Sequence, residues 1–101
     1  MDDPTEAIER ARQASEVLNH PMFQEAFNLL ERRYIEAIRT SPQRDVEGRE
    51  TVVLMLKQLG SVRAVLEEVI NTGTLARREW ERQRTMRERM HEWRENLPWI
   101  G

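Results

Sequence analysis

Few residues of this chain have the chemistry and spacing for more than packing or solvation. Glu88 and His91 lie three residues apart, and Glu16 and His20 lie four apart. On a helix, each pair sets a carboxylate and an imidazole on one face, as a helix-borne metal pair requires. A dimetal bundle needs two such motifs and two further inward glutamates. Only one has the right spacing, and its Glu88 falls on the charged side of its helix. His20 abuts Pro21, where a capping or solvated ring is the expectation. With two histidines and no cysteine, no Ser–His–acid or Cys–His relay can be assembled. No glycine-rich phosphate loop is present either. These residues predict a non-enzymatic protein without catalytic residues, metal or cofactor.

Residues suited to binding are more prominent, and they gather at the C-terminal end. Trp80, Trp93 and Trp99 accompany Arg82, Arg87 and Arg94, with Leu97 and Ile100 beside the last tryptophan. Tryptophan and arginine are the side chains most enriched among binding hot spots. The expectation is that residues 77–101 dock on a protein partner. The tryptophans would fill pockets, while Arg82, Arg87 and Arg94 meet acidic groups at the rim; the competing expectation is that the tail, with Leu97, Trp99 and Ile100, folds back on its own core. An alternative uses the same tryptophans as base-stacking platforms and the arginines on phosphates. Five interleaved glutamates weaken that alternative. The turn at Asn19-His20-Pro21 suggests a helix-turn-helix, but its second helix would begin Pro21-Met22-Phe23, an apolar end unsuited to base edges.

Charge is distributed to match. Residues 1–73 carry 9 basic and 13 acidic side chains, residues 74–101 carry 7 and 5, and the whole chain is −2. Lys57 is the only lysine, so every cation of the C-terminal segment is an arginine. A mean hydropathy of −0.76 with 34% charged residues fits a helical protein with charged outer faces. No apolar run approaches the roughly 20 residues of a membrane span. The start lacks the pattern of a signal peptide, and the absence of cysteine makes a reducing, intracellular compartment the default expectation.

The elements that position these residues are all helical, and the fold class expected is all-α. Val52–Ile70 is the longest apolar-rich stretch, with Val52, Met55, Leu56, Leu59, Val62, Leu66, Val69 and Ile70 on one broad stripe. Leu54, Val65 and Val53 flank it, which predicts a central helix covered from more than one side. Ahead of it, Asp3-Pro4 with Glu6 starts a helix whose face is Ala7, Ala11, Ala14 and Leu18. Pro21–Arg39 is the best-patterned segment, presenting Phe23, Ala26, Phe27, Leu30, Tyr34, Ala37 and Ile38. Asp45 caps the central helix. Gly60-Ser61 predicts a bend or a close helix approach within it. Asn71-Thr72-Gly73 has the form of a left-handed helix stop, with Thr74 capping a fourth helix.

Helices are thus expected near residues 4–19, 21–40, 45–71 and 74–96, built on a long antiparallel pair of the second and third. Phe27, Leu30, Tyr34, Leu56, Leu59 and Leu66 form the expected core. The expected division is a helical bundle domain over 1–76, followed by a projecting Arg-rich helix and apolar tail over 77–101. The apolar faces exceed what two neighbours can cover, which predicts homo-oligomers.

One resemblance spans about residues 7 to 76. Asn19-His20-Pro21-x-Phe23-x-Glu25-Ala26, Leu30-Glu31, Tyr34-Ile35-Glu36-Ala37, Asp45-x-Glu47-Gly48-Arg49-Glu50, Val62-Arg63-x-x-Leu66-Glu67-x-Val69 and Asn71-Thr72-Gly73 carry it. In these the chain resembles small helical proteins encoded in structural and morphogenesis modules of tailed bacteriophages. The resemblance implies a virion or assembly protein, working in the host cytoplasm during assembly or in the virion. Its partners would be copies of itself or a larger phage structural protein. The second function class is a nucleic-acid-facing accessory factor, such as a small packaging subunit using the C-terminal arginines.

Overall fold

The computed structural model describes residues 3–96, which form three helices. Helix α1 spans Pro4–Asn19, α2 spans Pro21–Thr40 and α3 spans Val46–Asn96. The first two start as the sequence dictates, because their N-terminal amides find side-chain acceptors. Asp3 accepts from the Thr5 amide at 2.9 Å, and His20 Nδ1 accepts from the Met22 amide at 3.1 Å. In both, proline occupies the first turn, where its missing N–H costs nothing. Asp45 Oδ1 accepts from the Gly48 amide at 3.1 Å at the head of α3.

The α2–α3 turn is held by a side chain with no obvious sequence signature. The Arg49 guanidinium reaches back from α3 and donates to Ser41 Oγ, the Pro42 carbonyl and the Gln43 carbonyl, at 3.0–3.2 Å. A planar guanidinium can satisfy several loop acceptors at once, which fixes this turn's geometry.

From that turn α2 runs back along α3. Ile38 lies beside Val46–Lys57, Tyr34 beside Thr51–Val62, and Phe27 sits under the Arg63 guanidinium, 4.2 Å from its ring centroid. Falling α2 numbers against rising α3 numbers make the pair antiparallel. Helix α1 then packs against the next stretch of α3, residues 65–77. The two short helices touch each other far less than either touches α3. Each stretch of α3 therefore has one neighbouring helix.

Two expectations are corrected here. The central helix is not covered from several sides, and no bundle core forms. The most extensive helix pairing is α1 with α3, not α2 with α3. A face of Ala7, Ala11 and Ala14 brings backbones close, so many residues come near one another while little apolar area is buried. The second correction is the absence of a fourth helix. Asn71-Thr72-Gly73 lies inside α3, and no glycine of the described residues has a positive φ. Gly73 instead gives α1 room. A Cβ there would collide with the Ala11 Cβ and lie 2.8 Å from the Ala7 carbonyl oxygen. Thr74 caps nothing, and its hydroxyl donates to the Ile70 carbonyl one turn back, at 3.0 Å. Gly60 has no atom near its missing Cβ, so no helix approaches at the other glycine.

The molecule is long. Its principal extents are 85 × 25 × 18 Å, and α3 alone has 51 residues, about 76 Å at 1.5 Å per residue. The radius of gyration, 23.7 Å, compares with roughly 13 Å for a compact domain of this length.

Candidate interaction surface

Among the described residues, Ala14 and Phe27 are the only buried hydrophobic side chains. Of the expected core, Phe27 is 6% exposed; Tyr34, Leu56, Leu59 and Leu66 are half-buried; Leu30 lies on the surface at 36%. Leu30 is displaced because α3 covers the line Phe23–Phe27–Glu31–Tyr34–Ile38 rather than the wider apolar arc. Ala26, Leu30 and Ala37 are left open. A single packed neighbour covers a narrower stripe than an apolar arc of that width presents.

Val17, Val65 and Leu75 are exposed beside the α1–α3 contact, and the rest of the uncovered apolar surface has two parts. The first flanks the α2–α3 contact, where Met22, Leu29 and Ile35 on α2 and Leu54, Met55 and Val62 on α3 are exposed. Shallow grooves cross it, one floored by Val46, Val53 and Leu54, another by Leu54, Met55, Leu59 and Val62. The second part is the distal end of α3. Ala76 is the last half-buried residue of that helix, and residues 77–96 are exposed throughout. Along them Met86, Met90 and Trp93 stand 51–63% exposed.

The residues expected to bind a partner fall as follows. Trp93, Arg87 and Arg94 share the outer part of α3, all exposed. Trp80 lies off the Met86–Met90–Trp93 line, with the Arg84 guanidinium 5.2 Å from its ring centroid. Arg82 is already engaged by Glu79 at 2.8 Å. That hydrogen bond holds the Glu79 carboxyl below its ordinary range and raises Arg82. Glu9 is likewise lowered by its hydrogen bond from Arg12. Leu97, Trp99 and Ile100 lie outside the described residues. Met86, Met90 and Arg89, absent from the expected site, stand beside Trp93 on the same helix. The signal for them was the 4,3 spacing of Met86, Met90 and Trp93.

Along the last segment Arg84 and Glu88 lie 3.7 Å apart, and Arg82 pairs three residues back with Glu79. His91 faces Glu95 at 3.0 Å. Among the described residues no three histidine, aspartate or glutamate side chains converge as a metal-sized group. His20 is engaged as the cap of α2. No described helix is long and apolar enough to cross a membrane.

No family model matches this chain, and neither a curated protein nor a solved structure is significantly similar to it. The surface itself carries the functional argument.

Proposed function

We propose that this chain is a non-catalytic assembly protein. It self-associates through the apolar surface that α2 and the first half of α3 leave open, and it docks on a larger protein through residues 77–101. The observation that carries this reading is the surface-to-mass relation. The chain exposes 8653 Å², against roughly 6000 Å² for a compact monomer of 12.1 kDa. The excess is of the order that permanent subunit interfaces cover. Exposed side chains such as Leu54, Met55 and Ile35 make much of that surface apolar, as unfilled interfaces are.

The resemblance to phage morphogenesis proteins supports placing this assembly in the building of a tailed-phage particle. The nucleic-acid reading has less support, because phosphates would engage the arginines of the distal segment and leave Met86, Met90 and Trp93 uncovered.

The test is a surface-charge substitution. Leu54→Glu with Val62→Glu should lower the associated mass seen by light scattering while leaving far-ultraviolet helicity intact. Association unchanged by both substitutions would remove the α2–α3 surface from the proposal.

A further inference from the structure

The outer part of α3 carries a pattern that specifies the docking partner, and the inference rests on the docking proposed above. With Met90 at heptad position a and Trp93 at d, Met86 falls at d, Gln83 at a and Glu79 at d. The same register continues upstream through Ala76, Val69, Val62 and Met55 at a. The upstream d positions are Thr72, Val65 and Gln58, two of them polar, so the apolar seam of the free half is the distal one, Met86, Met90 and Trp93.

The positions beside the seam are the informative ones. Position e is held by Trp80, Arg87 and Arg94, and position g by Arg82, Arg89 and Asn96. No acid stands at e or g over these residues. Glu81, Glu88 and Glu95 all occupy f, on the opposite side of the helix, where Glu88 and Glu95 face Arg84 and His91. Among the described residues, Arg87, Arg89 and Arg94 make no ion pair, and all three are exposed.

Two copies of this segment do not pair through such a seam. In a parallel coiled coil, g faces e of the partner's following heptad, setting Arg82 against Arg87 and Arg89 against Arg94. Antiparallel pairing sets e against e and g against g, so at its centre Arg87 faces Arg87 and Arg89 faces Arg89. Like charges at these positions select against the homodimer and in favour of an oppositely charged helix.

We propose that residues 79–96 form one strand of a two-stranded heteromeric coiled coil. Its partner is a helix of another protein, with an apolar a/d seam flanked by glutamate or aspartate at e and g. Nucleic acid is the weaker fit, because phosphates would engage the arginines and leave Met86, Met90 and Trp93 uncovered.

Fluorescence anisotropy on the full chain tests this with three labelled probes. They are a three-heptad peptide with leucine at a and d and glutamate at e and g, its lysine-flanked counterpart, and a duplex DNA of similar length. The glutamate peptide should bind at least about tenfold more tightly than the lysine peptide. Reversing Arg82, Arg87, Arg89 and Arg94 to glutamate should invert that preference. Met90→Ser with Trp93→Ser should abolish binding of either peptide without loss of helicity. Equal binding of both peptides, still lost in the Ser variant, would overturn the charge-selected partner while leaving docking intact. Failure of both peptides to bind would overturn docking as well. Tight DNA binding that survives the Ser substitutions would assign the arginines to phosphates instead.

Discussion

The two halves of α3 belong to one uninterrupted helix yet are held by different physics. Residues 46–76 are anchored by tertiary contact, with Phe27 wedged against Arg63 and Gly73 set against Ala11. Beyond Arg77, the last residue in the α1 groove, residues 78–96 are exposed throughout and depend on propensity and on short-range pairs such as Glu79–Arg82 and Arg84–Glu88. Exposed pairs of this kind are screened by solvent and contribute little. The contrast teaches that helix continuity and helix stability are separate matters. The proximal half is fixed by its neighbours, and the exposed distal half is held by local interactions along the helix.

The largest expected effect lies in the proximal half. Phe27→Ala removes the one large buried side chain among the described residues, and it should cost about 3 kcal/mol in urea unfolding. A loss under about 1 kcal/mol would mean that the α2–α3 contact is not what holds this half.

Next comes the α1 contact. Gly73→Val places side-chain atoms where the Ala11 Cβ and Ala7 carbonyl already sit, and both are near-backbone groups that cannot swing away. A destabilisation of about 2 kcal/mol is expected, with hydrogen exchange accelerating through α1. Protection of α1 unchanged in this variant would show that α1 is not docked at Gly73. Gly60→Ala is the control in the same helix. Nothing surrounds its missing Cβ, so the substitution should stabilise by up to about 1 kcal/mol.

The distal half should respond weakly on its own. Met90→Ser is expected to change monomer stability by less than about 0.5 kcal/mol, since Met90 is 59% exposed. A cost as large as that of Phe27→Ala would show the arm folded onto a core. The smallest effect is in acid. Glu79 in the arm and Glu9 in α1 are depressed by hydrogen bonds from Arg82 and Arg12. Their lowered values mean that the helicity they support is fully present above the ordinary glutamate range. It should fade as pH falls through their depressed values. Carbon-13 titration of the two carboxyls, read beside circular dichroism, checks both parts.

Local chemistry was legible in the sequence, and long-range chemistry was not. The starts at Asp3, His20-Pro21 and Asp45 were readable because a cap acts on amides two or three residues away. Gly73 differs for the opposite reason. Asn-Thr-Gly has the form of a helix stop, and only α1, some sixty residues earlier in the chain, makes the glycine a contact residue instead. The α1–α3 pairing is faint in the sequence because alanine faces give a weak hydrophobic signal. Trp80, six residues before Met86, is turned about 120° from it on any α-helix, which sets it on the flank with the arginines whether or not the helix continues upstream. The Arg49 clamp was not legible, because its acceptors are loop hydroxyl and carbonyl oxygens whose positions depend on the turn it stabilises.

The central claim is that this helical rod is a component of an assembly and does not stand alone. Sedimentation equilibrium on the full chain at tens of micromolar tests it most directly. The account predicts a mass that is a multiple of 12.1 kDa, with proximal apolar substitutions such as Leu54→Glu reducing it and distal ones leaving it unchanged. A single species of 12.1 kDa at every concentration would contradict it.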